Sequence, residues 1–141
     1  RDYFVRFARI GQYLREVVEQ ARIDGYTQTM FGRRRYFPEL ESEVRQVRAM
    51  AERAALNAPI QGSAADIFKI AMIAVQAALL EGDFASRMVL QVHDELLLEI
   101  APGEAERIRN LVADAMGGAV AMSVPLDVAV GEGRSWRAAA H

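Results

Sequence analysis

Apolar positions along the chain follow two periods, and the changes between them mark the elements. Over residues 3–24, Tyr3, Phe4, Phe7, Ile10, Leu14, Val17, Val18 and Ala21 recur at helical spacing, and Gly25 supplies a helix stop. "YTQTMFGRRRYF" (26–37) reads as a short hairpin bending at Gly32. Pro38 closes it, because proline has no N–H to give to a ladder. Val44, Val47, Met50, Ala51, Ala54 and Ala55 lie on one side of a second helix, 43–57. Pro59, inside "NAPIQG", disfavours helix at the residue before it, so a break is expected there. "SAAD" (63–66) then has the form of a capping box, with Ser63 as N-cap and Asp66 three residues on. The helix it would open runs to about Leu80. It is apolar nearly all round (Ile67, Phe68, Ile70, Met72, Ile73, Val75, Leu79), the pattern of a helix buried on most sides.

Beyond "EGD" (81–83) the period shortens to two. Residues 87–93 and 95–101 read as paired strands, with Val89, Gln91 and His93 on one face and Met88, Leu90 and Val92 on the other. Pro102 opens a helix at about 103–117, which Gly117 and Gly118 stop. "VPLDVAV" (124–130) alternates and reads as a last strand. The fold class is α+β: an antiparallel sheet of at least three strands with one face covered by helices. The first helix and the 26–37 hairpin are expected to project from that body. No internal repeat or low-complexity linker interrupts it.

Composition narrows the class. With 141 residues, 52% hydrophobic and 26% charged, the chain is globular rather than disordered and long enough for a core. The absence of cysteine excludes disulfides and thiolate metal sites. The apolar runs read as too short and too interrupted to span a bilayer and no signal peptide is visible, so a soluble intracellular chain is expected. Arg1 stands at or just before a helix already under way, the pattern expected of a piece of something longer. Residues 1–60 carry 11 arginines and 8 acidic residues, a net of +3, while residues 61–141 carry 6 basic and 11 acidic residues, a net of −5. Such a split is either two solvated surfaces, or a basic half facing a polyanion and an acidic half able to hold cations.

Three stretches carry candidate chemistry. In "LQVHDELLLE" (90–99) the turn between the strands holds His93, Asp94 and Glu95 where a tight hairpin would carry Gly or Asn. Adjacent carboxylates repel unless something positive sits nearby. Mg²⁺, which takes one or two protein carboxylates plus waters and phosphates, would answer that; a solvated acidic turn is the alternative. A histidine-rich phosphohydrolase needs more His ligands than His93 and the terminal His141, and no G-x-S-x-G nucleophile elbow is present. In "GRRRYFPEL" (32–40), Arg33, Arg34 and Arg35 either bind phosphate through paired hydrogen bonds or are solvated and paired with Glu39, Glu41 and Glu43. In "ERAALNAPIQG" (52–62), Arg53, Asn57 and Gln61 are spaced four apart. They are donors suited to base edges and sugars, or else caps and surface polarity. Donors on the minor-groove side could read duplex geometry without reading sequence.

Taken in order, "GRRRYFPEL", "AERAALNAPIQGSAADIFKIAM", "LQVHDELLLE" and the ending "VPLDVAVGEGRSW…AH" resemble the C-terminal part of family A DNA polymerases, over essentially the whole chain. The resemblance implies a DNA-directed DNA polymerase of replication and repair. Its residues 1–40 would end the fingers subdomain, and residues 41–141 would form the C-terminal part of the palm, with its sheet and the hairpin of motif C. Asp94 would be one of two carboxylates holding a pair of catalytic Mg²⁺ ions, which in such sites lie roughly 3.5–4 Å apart. Glu95 would be a secondary participant. His93 would lie near the primer terminus. Arg53, Asn57 and Gln61 would contact primer–template DNA beside the new base pair, and Arg33–Arg35 would lie near the duplex. Primer–template, dNTP and the remaining N-terminal part of the polymerase would be the partners, in a bacterial cytoplasm.

The family's upstream metal carboxylate, in a "DYSQIE"-like motif, and its nucleotide-binding helix do not occur in these residues. Tyr3 and Phe4 resemble the segment just after that helix, and the tail resembles the family's C-terminus. The expectation is a chain truncated on its N-terminal side and inactive alone. A free-standing duplex-binding module without chemistry is the competing expectation. Val44 stands where family members often have Asn, and Ser63 where Thr is commoner.

Overall fold

In a computed structural model, residues 6–139 are described. Tyr3, Phe4 and His141 lie outside them. The chain divides into two compact units, Arg1–Asp66 and Ile67–His141.

In the first unit, helix α1 (Ala8–Asp24) ends at Gly25, whose N–H donates to the Ala21 carbonyl at 2.9 Å. Strands β1 (Tyr26–Gln28) and β2 (Arg34–Tyr36) pair antiparallel, Thr27 opposite Arg35, as the expected hairpin. Its bend is tied by the Thr29 N–H to the Arg33 carbonyl (2.9 Å) and by the Gly32 N–H to the Thr29 carbonyl (3.0 Å). The Phe37 N–H reaches back to the Gly25 carbonyl at 2.9 Å, which closes the hairpin onto the end of α1. A single 3-10 turn follows at Pro38–Glu41. Ala21, Phe37 and Leu40 then bury against Ala51, Ala55 and Ala58.

Those three alanines belong to α2 (Arg45–Glu81), an unbroken helix with Pro59 inside it. The break expected at "NAPIQG" does not occur. Proline in a helix interior costs about 3 kcal/mol. Here the buried face runs up to it through Ala51, Ala55 and Ala58, and small side chains let Phe37 and Leu40 pack close. The capping box does not form either. The Ser63 hydroxyl accepts the Met30 N–H at 2.9 Å, and Asp66 Oδ1 accepts Arg33 Nε at 2.8 Å. Both side chains dock the hairpin on the helix instead of starting it. An 18-residue window of α2 reaches a mean hydropathy of 1.6, so by length and composition alone this helix could cross a bilayer. That corrects the expectation of runs too interrupted to span.

In the second unit, α2 buries Ala71, Val75 and Leu79 but exposes Ile73 and Leu80, 71% and 73% accessible. It is therefore buried on one face and not on most sides. Val75 and Leu79 pack on Ile108 and Val112 of α3 (Ala105–Gly117), with Phe84, Met88, Leu96 and Leu98 around them. Strands β3 (Arg87–Val92) and β4 (Glu95–Glu99) form the expected antiparallel pair. The register steps from Met88–Leu98 to Leu90–Leu97, so Val89 is a bulge. A bulge of one residue moves every later side chain to the other face. Gln91 therefore shares the face of Met88 and of the core residues Leu96 and Leu98, though it is itself exposed, and Leu90 shares the other face with half-buried Val92. The assignment of faces from strict alternation is thus reversed beyond Val89.

Residues 124–130 form no strand, and both sheets among the described residues have two strands. The period-two pattern survives as burial: Leu126, Val128 and Val130 are half-buried between exposed Pro125, Asp127 and Ala129. A strand needs a partner for its backbone groups, and side-chain alternation alone does not supply one.

One contact ahead of β3 had no sequence signal. The Glu104 carboxylate accepts the Ala85 N–H (3.1 Å), the Ser86 N–H (2.9 Å) and the Ser86 hydroxyl (2.6 Å). Ser86 Oγ in turn accepts the Ala101 N–H at 2.9 Å, so the start of β3 and the approach to α3 are clamped together.

Candidate functional site

The acidic turn is a two-residue loop, His93 and Asp94, between the paired residues Val92 and Glu95. His93 takes φ of 53°, a left-handed conformation uncommon outside glycine. Its carbonyl accepts Gln91 Nε2 at 2.7 Å, which fixes the entry to the turn. On the exit side Glu95 Oε2 accepts the indole N–H of Trp136 at 2.9 Å. Asp94 lies between them, exposed, and among the described residues its carboxylate takes part in no hydrogen bond or ion pair. Trp136 belongs to no candidate-site motif in the sequence. Its signal was a lone large aromatic in an otherwise small and charged tail.

No group of three or more His, Asp or Glu able to hold a metal ion occurs among the described residues. What is present is two adjacent carboxylates, one fully free and one with a single oxygen committed. This donor set fits Mg²⁺ as an incomplete site. It offers hard oxygen ligands and one or two carboxylates, and leaves the rest to water, phosphate or a further carboxylate.

The other candidates sit in the first unit. Because α2 runs through Pro59, Arg53, Asn57 and Gln61 share one helix face, and all three are exposed. The three arginines have separate engagements, and none pairs with Glu39, Glu41 or Glu43. Arg33 donates Nε to Asp66 and Nη2 to the Gly62 carbonyl (3.1 Å). Arg34 bonds Gln28 Oε1 at 3.2 Å and lies 4.4 Å over the Tyr26 ring. Arg35 lies 5.0 Å over the Phe37 ring. Arg33, Arg35 and Gln61 line one cleft of about 170 Å³ together with Thr27, Thr29, Ala58 and Gly62. Gly62 is needed for this approach. A Cβ there would meet Thr29 Cγ2 at 2.7 Å, inside contact distance. The structure thus brings Gln61 to the basic hairpin and makes Arg33 a latch between hairpin and helix.

The sequence profile of DNA polymerase family A matches residues 1–138. DNA polymerase I of Mycobacterium tuberculosis is 69% identical over 139 residues, which are 99% of this chain and 15% of that protein. The thermostable DNA polymerase I of Thermus aquaticus is 44% identical over 137 residues, 97% of this chain and 16% of that protein. A solved structure, the POL domain of Pol1 from M. smegmatis in complex with DNA primer-template and dNTP, matches with a TM-score of 0.94 at 61% identity, over 99% of this chain and 24% of that one. The chain therefore spans about 15% of the length of such curated relatives.

Proposed function

The chain belongs to DNA polymerase family A, and on that premise we propose that it supplies one side of the active site of template-directed DNA synthesis in a longer enzyme. Residues 1–40 end the fingers and residues 41–141 form the C-terminal palm. The observation that carries the reading is Asp94: a carboxylate without a partner among the described residues, at the tip of a turn whose two flanks are both tied down. Asp94, with Glu95 beside it, would hold Mg²⁺. Bound there, Mg²⁺ supplies a lowered pKa for the primer 3′-hydroxyl and charge neutralisation for the incoming triphosphate. The site is completed by a second carboxylate from the rest of the enzyme, so residues 1–141 alone would be inactive.

The remaining roles rest on the family resemblance. Arg53, Asn57 and Gln61 face the minor-groove side of the primer–template beside the new pair, where acceptors recur in every base pair and donors test shape rather than sequence. Arg34 and Arg35 contact backbone phosphate, and His93 lies by the primer end. Ile73, Leu80, Val89 and Leu90, exposed on the second unit, would be covered by the rest of the enzyme, which also accounts for the apolar character of α2 without a membrane. The place of work is the bacterial cytoplasm, on the nucleoid.

Primer extension by the intact polymerase carrying Asp94→Ala tests this. Extension should fall by orders of magnitude while duplex affinity stays within a few-fold. Near-normal extension would remove the catalytic role and leave a duplex-binding module.

A further inference from the structure

We propose that Trp136 is a positioning residue for the acidic turn: its indole N–H holds Glu95, so that Asp94 is presented to the cation as the free carboxylate. The proposal rests on the metal reading of Asp94 given above. Two neighbouring carboxylates in a turn repel, and left alone they would swing apart and sample many rotamers. Here one of the two is immobilised. Glu95 Oε2 takes the indole N–H at 2.9 Å. Indole is a donor only, and a bond to an ionised acceptor is among the stronger kind.

Three features place the ring, 41 residues away in sequence. The Glu132 carboxylate pairs with Arg109 of α3 at 2.7 Å, anchoring the tail. At Gly133 a Cβ would lie 2.6 Å from the Ala138 carbonyl carbon, so the tail folds back on itself only with glycine there. Ser135 then caps the short helix α4 (Trp136–Ala139) by accepting the Ala138 N–H. On the opposite flank Gln91 holds the His93 carbonyl. A solvated acidic turn has no need of tethers on both sides. A turn that must keep one carboxylate at a fixed point does. Partners that orient a metal ligand commonly contribute about 10–100-fold in metal affinity.

The test is direct Mn²⁺ binding to the intact polymerase, read by the electron paramagnetic resonance of free Mn²⁺ without turnover. The site is defined as the binding lost in Asp94→Ala. Trp136→Phe keeps the ring and removes the donor, and should weaken that site about tenfold. Trp136→His restores a ring N–H and should recover part of the loss. Trp136→Phe combined with Glu95→Ala should be no weaker than Glu95→Ala alone. Wild-type affinity in Trp136→Phe, or losses that multiply in the double variant, overturns the proposal. Should Trp136→Phe fail to fold, Glu95 decides it. The amide of Glu95→Gln still accepts the indole N–H, so it must bind Mn²⁺ more tightly than Glu95→Ala, and equal losses overturn the positioning role. If Asp94→Ala binds Mn²⁺ as the wild type does, the metal reading itself falls and the proposal with it, an outcome separate from the others.

Discussion

Arg33 and Arg35 are neighbours in a run of three arginines, yet they have different partners, and replacing each with alanine should separate the roles proposed for them. Arg33 spends its guanidinium on Asp66 at 2.8 Å and on the Gly62 carbonyl at 3.1 Å. Hydrogen bonds to charged groups contribute about 1.5–3 kcal/mol, and the Arg33 side chain is 53% exposed against 12% for Asp66, so solvent screening lowers this. Arg33→Ala should therefore lower unfolding stability by about 1–2 kcal/mol. Among the described residues Arg35 makes a cation–π contact alone, worth about 0.5–1 kcal/mol at an exposed site. On DNA the order reverses. Each phosphate contact contributes roughly 0.9 to the slope of log affinity against log salt. Arg35→Ala should reduce that slope by about one, and Arg33→Ala should leave it unchanged. Denaturant unfolding gives the first quantity, and duplex binding by the intact polymerase across a salt series gives the second. A stable Arg33→Ala protein with a reduced slope would refute the assignment of Arg33 as a latch.

Pro59→Ala should stabilise the protein by about 1–2 kcal/mol, because it restores a donor inside an unbroken helix; destabilisation would mean that Pro59 marks a helix boundary after all. Val75→Ala, at a position with 0% exposure, should cost about 2 kcal/mol in the same unfolding assay, and a loss under about 0.5 kcal/mol would mean that the second core is not packed as described. The Ser86 hydroxyl, then the Ala85 N–H, hold the Glu104 carboxyl below its ordinary pKa; burial opposes them, and the Ser86 N–H and Arg107 add smaller lowering effects. A folded pKa lowered in this way means that the clamp's contribution is complete above the ordinary glutamate range and is lost as pH falls through the folded value. Hydrogen exchange at Ala85 and Ser86 should accelerate on that acid side, and Glu104→Gln should abolish the pH dependence; identical titration of the two proteins would sever the link.

The elements legible in the sequence were those with strong periodicity and ordinary punctuation. These were α1 with its Gly25 stop, the hairpin bent at Gly32, the β3–β4 pair and α3. The errors have physical causes. Pro59 and the Ser63–Asp66 pair carry local signals for a helix break, but tertiary burial of Ala51, Ala55 and Ala58 outweighed them, and the polar pair found partners in Met30 and Arg33. The bulge at Val89 leaves no mark in a run of apolar residues, so the faces beyond it could not be read. Residues 124–130 keep the pattern of a strand without a partner to make one. At the candidate site, Asp94 and Glu95 were legible from the misfit of their turn. Trp136 and Gly62 were not, because each meets a residue distant in sequence, and Gln91 was not, because its bond to the His93 carbonyl exists only in the folded turn.

That misfit has a consistent account. A two-residue hairpin turn favours Asn-Gly or Asp-Gly because positive φ is costly with a Cβ present. Here histidine takes φ of 53°, and two acidic side chains follow it. Strain at such a residue is of order 1–3 kcal/mol, and it persists only where the surroundings over-determine the conformation. They do so at this turn: β3 and β4 pair Val92 with Glu95 directly beneath it, Gln91 holds the His93 carbonyl, and Trp136 holds Glu95. A sequence selected for hairpin stability alone would have replaced His93 with glycine and removed one carboxylate. Keeping both requires that something outside the turn gain from them. On the reading proposed, the gain is a carboxylate whose backbone position is set before any cation or nucleotide arrives, so that less remains to be ordered at the moment of binding. The test of that logic is His93→Gly. It should relieve the strain and raise unfolding stability by up to about 1–2 kcal/mol, while loosening the turn and weakening Mn²⁺ binding at Asp94. A glycine variant that gained stability and bound Mn²⁺ as tightly as the wild type would show that the strained turn has no part in presenting Asp94.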